Sequence, residues 1–209
     1  MAYRMNPNRR ALLLRTLPGL ALGAIASLVT LAPAWAQPVI VEGHPFERRV
    51  TVAGSELLLN GTGVRAVAWF KGYVAALYLR TPARDAEQVL AQAGPKRLQM
   101  RLLQDVPAAE FVKAFRKGVE RNTPAAELPQ LAERMARFEA LVGALGKVRK
   151  GDLINLDLEP GRGMAFSVNG TLRGEAIAGE DFFAALLRSF VGDRPYDSKL
   201  KAGLLAGTV

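Results

Sequence analysis

The order of strand-like and helix-like segments is the feature of this sequence that most restricts its fold. Residues 46–79 and 151–171 are rich in the β-branched, aromatic and alternating apolar residues typical of strands, whereas residues 105–145 show helical spacing. A further helical pattern runs from Asp181 to Val191, and a short one begins near Asp197. Strands, helices, strands and helices in this order predict one α+β domain.

Turn chemistry and alternation predict where the strands begin and end. Phe46 to Val52 and Glu56 to Leu59 are predicted as two short strands joined by an Ala-Gly-Ser turn. Asn60-Gly61-Thr62-Gly63 is predicted to form a second turn, and Val64 to Leu79 a strand with a bend or bulge at Gly72. Three further strand signals follow downstream: Lys96 to Leu103, Gly151 to Glu159, and the Asn169-Gly170 pair that suits a tight hairpin.

Apolar residues at helical spacing predict two long helices between the strand-rich parts. Asp105 is predicted to cap the first helix, in which Phe111, Phe115 and Val119 recur every four residues. The second helix follows Pro124 and carries an apolar stripe: Leu128, Leu131, Met135, Phe138, Leu141 or Val142, and Leu145. We expect both stripes to belong to the hydrophobic core rather than to a cofactor site.

Residues 1–36 have the three-part organisation of an export signal. Their basic first part contains four arginines and no acidic residue, and the apolar run from Leu17 to Leu31 follows it. The small residues of Ala34-Trp35-Ala36 suit a signal peptidase, so cleavage is predicted before Gln37. Signal peptidase is therefore an expected partner, and residues 37–209 are expected to form the mature domain.

The same segment indicates where the mature protein works. Its apolar run of about 15 residues is shorter than the roughly 20 residues of a membrane-spanning helix, so no stable membrane span is expected after cleavage. Arg9-Arg10 is compatible with twin-arginine export, which leaves both the Sec and the Tat routes open. We expect a location in the periplasm, or otherwise outside the cytoplasm.

Composition excludes several classes of function. The chain has no cysteine, which removes disulfides and thiolate chemistry, and its one histidine, His44, cannot form a multi-histidine metal centre. After residue 36 the chain has 24 of its 28 basic residues and all 19 of its acidic residues. The basic residues form no dense tract, so no nucleic-acid partner is expected. No established nucleotide, metal or serine–histidine motif stands out, and no cofactor is expected.

Arg65 and Tyr73 are the polar residues that stand out in the apolar stretch after Gly63. The planar guanidinium of Arg65 could hold a carboxylate or an enolate, and the Tyr73 hydroxyl could share that role. A surface ion pair for Arg65 and an interfacial ring for Tyr73 are the alternatives, which composition alone favours. On one straight strand the two residues would lie about 26 Å apart. They can therefore converge only if the chain turns back between them, and Gly72 is the candidate position.

A family resemblance is carried by three ordered segments: Asn60 to Arg65, Phe70 to Leu79, and Phe190 to Leu205. These segments resemble the chalcone isomerase superfamily, and most closely its bacterial exported, chalcone isomerase-like branch, over about residues 46–206. The resemblance implies an open-faced β-sandwich, in which a large antiparallel sheet carries helices on one side and a ligand cleft lies between them. The α+β class predicted from the residues is compatible with that fold.

The resemblance also implies roles for individual residues. Arg65 matches the family arginine that stabilises an enolate, Tyr73 falls where the enzymes have threonine, and Ser189 falls at a late hydroxyl position. Phe111 and Gly118 fall where the enzymes carry a tyrosine and an asparagine on a helix. Two catalytic donors are therefore replaced, which argues against efficient chalcone cyclisation. Non-catalytic relatives include fatty-acid-binding proteins with an arginine–tyrosine pair for a carboxylate, of which Arg65 with Tyr73 is a possible variant.

Three hypotheses for function remain open. The first is a non-catalytic binder of a small apolar acid such as a fatty acid, with Arg65 and Tyr73 at one end of a cleft lined by aromatic residues: Trp69, Phe111, Phe115 and Phe190. The second is an isomerase of the intramolecular lyase type acting on an unknown chalcone-like enone, with Arg65 stabilising the oxyanion and Tyr73 or Ser189 placing a proton. The third is a docking protein that has no ligand and an exposed apolar patch.

Overall fold

The computed structural model of the protein describes residues 37–67 and 70–207. This part of the chain contains the strands β1 (Val39–Val41), β2 (His44–Phe46), β3 (Arg49–Val52), β4 (Ser55–Val67), β5 (Phe70–Leu79), β6 (Lys96–Leu102), β7 (Val106–Pro107), β8 (Lys147–Val148), β9 (Leu153–Glu159), β10 (Gly163–Val168) and β11 (Thr171–Leu172). Its helices are α1 (Ala86–Ala91), α2 (Ala108–Asn122), α3 (Leu128–Gly143), α4 (Glu180–Val191) and α5 (Ser198–Leu204). Among these described residues, no helix combines the length and the apolar character that a membrane crossing requires.

One antiparallel sheet of seven strands organises the fold, in the order β11-β10-β9-β6-β5-β4-β3. Two small ribbons, β1 with β2 and β7 with β8, accompany it. Each of the five helices in the described residues contributes to the core on one face of the sheet, with buried residues that include Val89, Phe115, Phe138, Phe182 and Leu200. The stripes predicted for α2 and α3 belong to this core. The predicted α+β class, with a large antiparallel sheet and helices on one side, is confirmed.

The alternation predicted for the central strand β6 is confirmed. Leu98, Met100 and Leu102 are buried in the core beneath the helices. Arg97 points to the opposite face, where it donates two hydrogen bonds of 2.6 Å to the carboxylate of Asp157 on the neighbouring β9. The period of two in the sequence therefore separates a helix-covered face from a face with paired charges.

Two predicted hairpin turns are confirmed. Val52 pairs with Ser55, and the intervening Ala53 and Gly54 have φ angles of 47° and 75°. Val168 pairs with Thr171 around Asn169-Gly170, whose φ angles are 52° and 77°. Successive positive φ values are the requirement of the tight turn that joins twisted antiparallel strands, and glycine and asparagine meet it at the lowest cost.

The turn predicted at Asn60-Gly61-Thr62-Gly63 is wrong, because these residues lie inside β4. Asn60 is completely buried, and its Nδ2 donates to the carbonyl oxygens of Ala83, at 2.9 Å, and Leu204, at 2.7 Å. Its Oδ1 accepts a hydrogen bond of 2.7 Å from the backbone N–H of Ala83. The side chain thus joins three separate parts of the chain instead of closing a local turn.

The two glycines of that segment have a packing role. A β-carbon at Gly61 would lie 2.9 Å from the carbonyl oxygen of Leu204, and one at Gly63 would lie 2.7 Å from that of Leu200. Only residues without a side chain let the backbone of α5 lie directly against β4. The composition that suggests a turn therefore reflects close approach between a helix and a strand.

The single strand predicted from Val64 to Leu79 is also wrong. The chain reverses between Val67, where β4 ends, and Phe70, where β5 begins, and the two strands pair antiparallel. The reversal is not at Gly72, which is instead the extra residue of a β-bulge within β5, so the predicted bulge is confirmed. Both arms of the hairpin have strand-like composition, which conceals the reversal in the sequence.

The cap predicted at Asp105 is wrong as well. Helix α2 begins at Ala108, and Pro107 precedes it without a side-chain cap. The carboxylate of Asp105 accepts hydrogen bonds of 2.9 Å from Nζ of Lys147 and from the backbone N–H of Lys150. These bonds hold the pKa of Asp105 below its usual value. Because β7 pairs with β8, the aspartate meets the chain after α3 rather than the start of α2.

Candidate functional site

A cavity of about 230 Å³ lies between the helix-covered face of the sheet and helices α2, α3 and α4. Its walls are largely apolar, and six of the lining residues are phenylalanines: Phe70, Phe111, Phe115, Phe138, Phe166 and Phe190. Phe70 is 44% exposed and lines the cavity together with the exposed Glu110, so the cavity opens to solvent at these residues. The other polar lining groups belong to Arg65, Tyr73 and Tyr196.

Edge-to-face aromatic contacts build the apolar wall. The ring of Phe138 lies 4.8 Å from that of Phe115 and 5.5 Å from that of Phe166, measured between centroids, with interplanar angles of 68° and 71°. The ring of Phe190 meets Tyr196 at 5.0 Å and 90°. Such pairs hold ring positions beyond what burial alone achieves, so the cavity walls have a defined shape.

Arg65 and Tyr73 face each other across the β4–β5 hairpin. They are directly paired residues on adjacent strands, and both line the cavity. Directly opposite residues on one face of an antiparallel pair have β-carbons about 4.5–5.5 Å apart. On one straight strand Arg65 and Tyr73 would lie far apart. The reversal between Val67 and Phe70 therefore brings them together.

The guanidinium of Arg65 is held from one side. Its Nη1 donates to the carbonyl oxygen of Ala66 at 3.0 Å and to Oδ2 of Asp197 at 3.3 Å. The Arg65 side chain is 28% exposed and that of Asp197 is 15% exposed, so the ion pair is partly shielded from water. Among the described residues, the other guanidinium nitrogens have no hydrogen-bond partner, which leaves donors for a ligand.

Asp197 has a second task as the N-cap of α5. Its Oδ1 accepts hydrogen bonds from the backbone N–H groups of Lys199, at 2.8 Å, and Leu200, at 3.0 Å. Burial by itself would raise the pKa of Asp197, but these bonds and the charge of Arg65 outweigh burial and place the pKa below its usual value. The carboxylate therefore stays ionised and keeps Arg65 in place.

The two tyrosines of the cavity remain neutral at physiological pH. Burial raises the pKa of Tyr73 far above its usual value, and the neighbouring Tyr196 adds to the rise while Arg65 opposes it. Burial also raises the pKa of Tyr196 to about 12, although the side-chain interaction with Ser189 and the charge of Arg65 act to lower it. A neutral phenol keeps its proton, so each hydroxyl can donate a hydrogen bond.

Alkaline pH is expected to destabilise the protein in part through Tyr196. The folded pKa of about 12 lies above the unfolded value of about 10, so this contribution is complete below pH 10 and is lost as the pH rises toward 12. The loss amounts to at most about 2–3 kcal/mol. Urea denaturation at several pH values should show a shallower alkaline decline for Tyr196→Phe than for the wild type. Parallel declines would contradict the assigned shift.

Some of the residues predicted for the cleft line the cavity, and others do not. Phe111, Phe115 and Phe190 line the cavity together. Ser189 directly precedes Phe190 in α4, but it is completely buried and is not part of the cavity wall. Trp69 lies outside the described residues.

Sequence reasoning missed Tyr196 and Asp197. Both lie in the segment between α4 and α5, and they reach the site only because α5 packs on β4. An aspartate followed by helical spacing is a signal for a helix cap, which suits Asp197. No local pattern connects Tyr196 to Arg65, which precedes it by well over a hundred residues.

Comparisons with known proteins agree with this architecture. A family model described as chalcone isomerase-like matches residues 39–206. The solved structure of a fatty-acid binding protein from Arabidopsis thaliana superimposes with a TM-score of 0.62 and 14% sequence identity, covering 81% of this chain and 96% of the plant protein. At that identity the similarity shows the fold. A sequence comparison with curated proteins finds no match.

Proposed function

We propose that this chain, which belongs to the chalcone isomerase-like family, is a non-catalytic binder of a small apolar acid such as a fatty acid. The observation that carries the proposal is the combination of an aromatic-lined cavity with Arg65 and Tyr73 side by side in its wall. Ligand sites of this kind are mostly apolar and contain a few converging polar groups that orient the ligand.

The apolar part of the cavity suits a hydrocarbon tail. A cavity of roughly 150 Å³ in a protein core accommodates benzene, and the cavity here, at about 230 Å³, is larger. It opens beside Phe70, so a tail longer than the cavity could continue along this exposed ring. Each methylene transferred from water to such a wall contributes about 0.8 kcal/mol to binding.

The polar part suits a carboxylate. Within the part of the chain that the structure describes, Asp197 and Ala66 occupy only Nη1 of Arg65. The remaining guanidinium donors are therefore available to a carboxylate with parallel hydrogen bonds. The neutral hydroxyl of Tyr73 can donate one more. Because Asp197 keeps its backbone partners in α5, it can share Arg65 with a ligand without losing its own hydrogen bonds.

The experiment is to purify the protein, extract it under denaturing conditions, and identify by mass spectrometry whatever accompanied it. A near-stoichiometric acidic apolar molecule is the expected result. Saturable binding of hexadecanoate to the delipidated protein is expected alongside it. An empty extract together with no saturable binding would contradict the proposal and favour a docking role without a ligand.

Isomerase activity is the second candidate, because Arg65 and Tyr73 are also suited to stabilise an enolate. It ranks lower since the family resemblance aligns Phe111 and Gly118 with the positions where the enzymes have a tyrosine and an asparagine, and one lost oxyanion donor typically costs about 100- to 1000-fold in rate. Turnover of a chalcone above the buffer rate, lost in Arg65→Ala, would favour this candidate over the binder.

We further propose that the protein is exported and that signal peptidase removes residues 1–36. The basic, apolar and small-residue parts of that segment support this proposal. Intact-mass measurement of protein from the periplasmic fraction of a bacterium with two membranes is expected to show a chain that begins at Gln37. Retention of Met1 in cytoplasmic protein would contradict it.

A further inference from the structure

We propose that Tyr196 donates an additional hydrogen bond to the headgroup of the ligand, and that Gly118 of α2 leaves the space that the Tyr196 ring occupies. This inference rests on the proposed binding function and extends it to a residue outside the β4–β5 hairpin. Tyr196 lines the same cavity as Arg65 and Tyr73, although it comes from the segment between α4 and α5.

The ring of Tyr196 fits against α2 because Gly118 has no side chain. A β-carbon at Gly118 would lie 2.5 Å from Cζ of Tyr196 and closer still to its hydroxyl oxygen. Any other residue at this helix position would therefore displace the phenol. The ring also meets Phe190 edge to face, with centroids 5.0 Å apart.

The backbone that carries Tyr196 is fixed by the end of α2. Nη2 of Arg121 donates to the carbonyl oxygens of Arg194, at 2.7 Å, and Pro195, at 2.8 Å. The side chain of Asn122 donates to the carbonyl oxygen of Arg194 at 2.9 Å and accepts from its N–H at 3.0 Å. A donor held in this way loses little conformational freedom when a ligand binds, which favours affinity.

The same segment also controls Arg65. Asp197 follows Tyr196 directly and binds Nη1 of Arg65 at 3.3 Å, so one short stretch of chain supplies one donor and orients another. The backbone N–H of Tyr196 donates to the carbonyl oxygen of Ser189 at 2.8 Å, which ties the segment to α4. The electrostatic interactions of Tyr196 with both Tyr73 and Arg65 agree with one shared polar end of the cavity.

The test compares the binding of hexadecanoate and of its methyl ester to wild type and Tyr196→Phe. The substitution keeps the ring beside Gly118 and removes only the hydroxyl. Loss of a hydrogen bond to a charged group is expected to weaken hexadecanoate binding roughly 10- to 100-fold, with a much smaller effect on the ester. Tyr78→Phe is the matched control. Tyr78 is completely buried in a second hydrophobic cluster, together with Phe46 and Leu57 on the opposite face of the sheet, and it does not line this cavity.

Gly118→Ala is the second variant, and it is expected to displace the ring and to lose a similar factor in hexadecanoate affinity. Unfolding transitions of each variant check that the fold is retained. Equal hexadecanoate affinity in wild type and Tyr196→Phe would overturn the inference and leave the proposed function intact. An equal loss for both probes would assign Tyr196 a packing role and overturn it too. If the wild type bound neither probe, the proposed function itself would fail, and this inference with it.

Discussion

Replacing Arg65 with alanine is expected to weaken the binding of hexadecanoate by about a hundredfold or more. Truncating one partner of a shielded, hydrogen-bonded charge pair typically costs about 2–5 kcal/mol of binding free energy, and each 1.4 kcal/mol is a factor of ten. In the described part of the chain, Arg65 is the only arginine that lines the cavity. Isothermal titration calorimetry on delipidated protein measures the effect directly.

Two comparisons make the Arg65 result interpretable. Arg65→Lys keeps the charge but not the planar fork, so an intermediate affinity is expected if bidentate geometry contributes. Arg162→Ala removes one positive charge from an exposed ion pair with Glu159, away from the cavity, and should leave affinity unchanged. An Arg65→Ala protein that folds normally and binds hexadecanoate as tightly as the wild type would refute the assignment of Arg65.

Replacing Gly61 with alanine is expected to lower the free energy of unfolding by about 3 kcal/mol or more. The added β-carbon meets the backbone of α5, 2.9 Å from the carbonyl oxygen of Leu204, and backbone atoms cannot rotate away as a side chain would. Moving α5 also exposes Leu200 and Leu204, which are completely buried and each contribute about 1.5–3 kcal/mol. Urea denaturation monitored by circular dichroism gives the difference.

Gly72→Ala is the matched control for Gly61→Ala. It makes the same chemical change in the strand paired with β4, but its β-carbon would meet only the carbonyl oxygen of Arg65 at an ordinary 3.7 Å. A change in stability of less than about 1 kcal/mol is expected for this variant. Similar losses in both proteins would mean that strand glycine in general, rather than contact with α5, explains the sensitivity.

The features that the sequence predicts correctly are those that depend on near neighbours. The strand alternation around Leu98, the helical stripes through Phe115 and Phe138, and the Asn169-Gly170 hairpin follow from side-chain period and local backbone preference. Together with the family resemblance they were sufficient for the α+β class and the open-faced sheet. They were also sufficient to single out Arg65 and Tyr73 as unusual residues.

The errors occurred where long-range contacts override local preference. Asn60-Gly61-Thr62-Gly63 has the composition of a turn, yet it forms a strand because α5 lies on its glycines and Asn60 binds Ala83 and Leu204. Asp105 has the position of a cap, yet it binds the lysines of the segment after α3. In both cases the partner is distant in sequence, so no local window contains the deciding interaction.

The class of fold, the residue types available for chemistry and the candidate pair of Arg65 and Tyr73 all follow from the sequence alone. The reversal between Val67 and Phe70, which places Arg65 opposite Tyr73 on one face of the sheet, becomes visible only in the folded chain. The same is true of Tyr196 and Asp197, which join them because α5 packs on β4 and Gly118 leaves room for a phenol. Period and propensity act over a few residues, whereas a binding site depends on which distant surfaces bury each other.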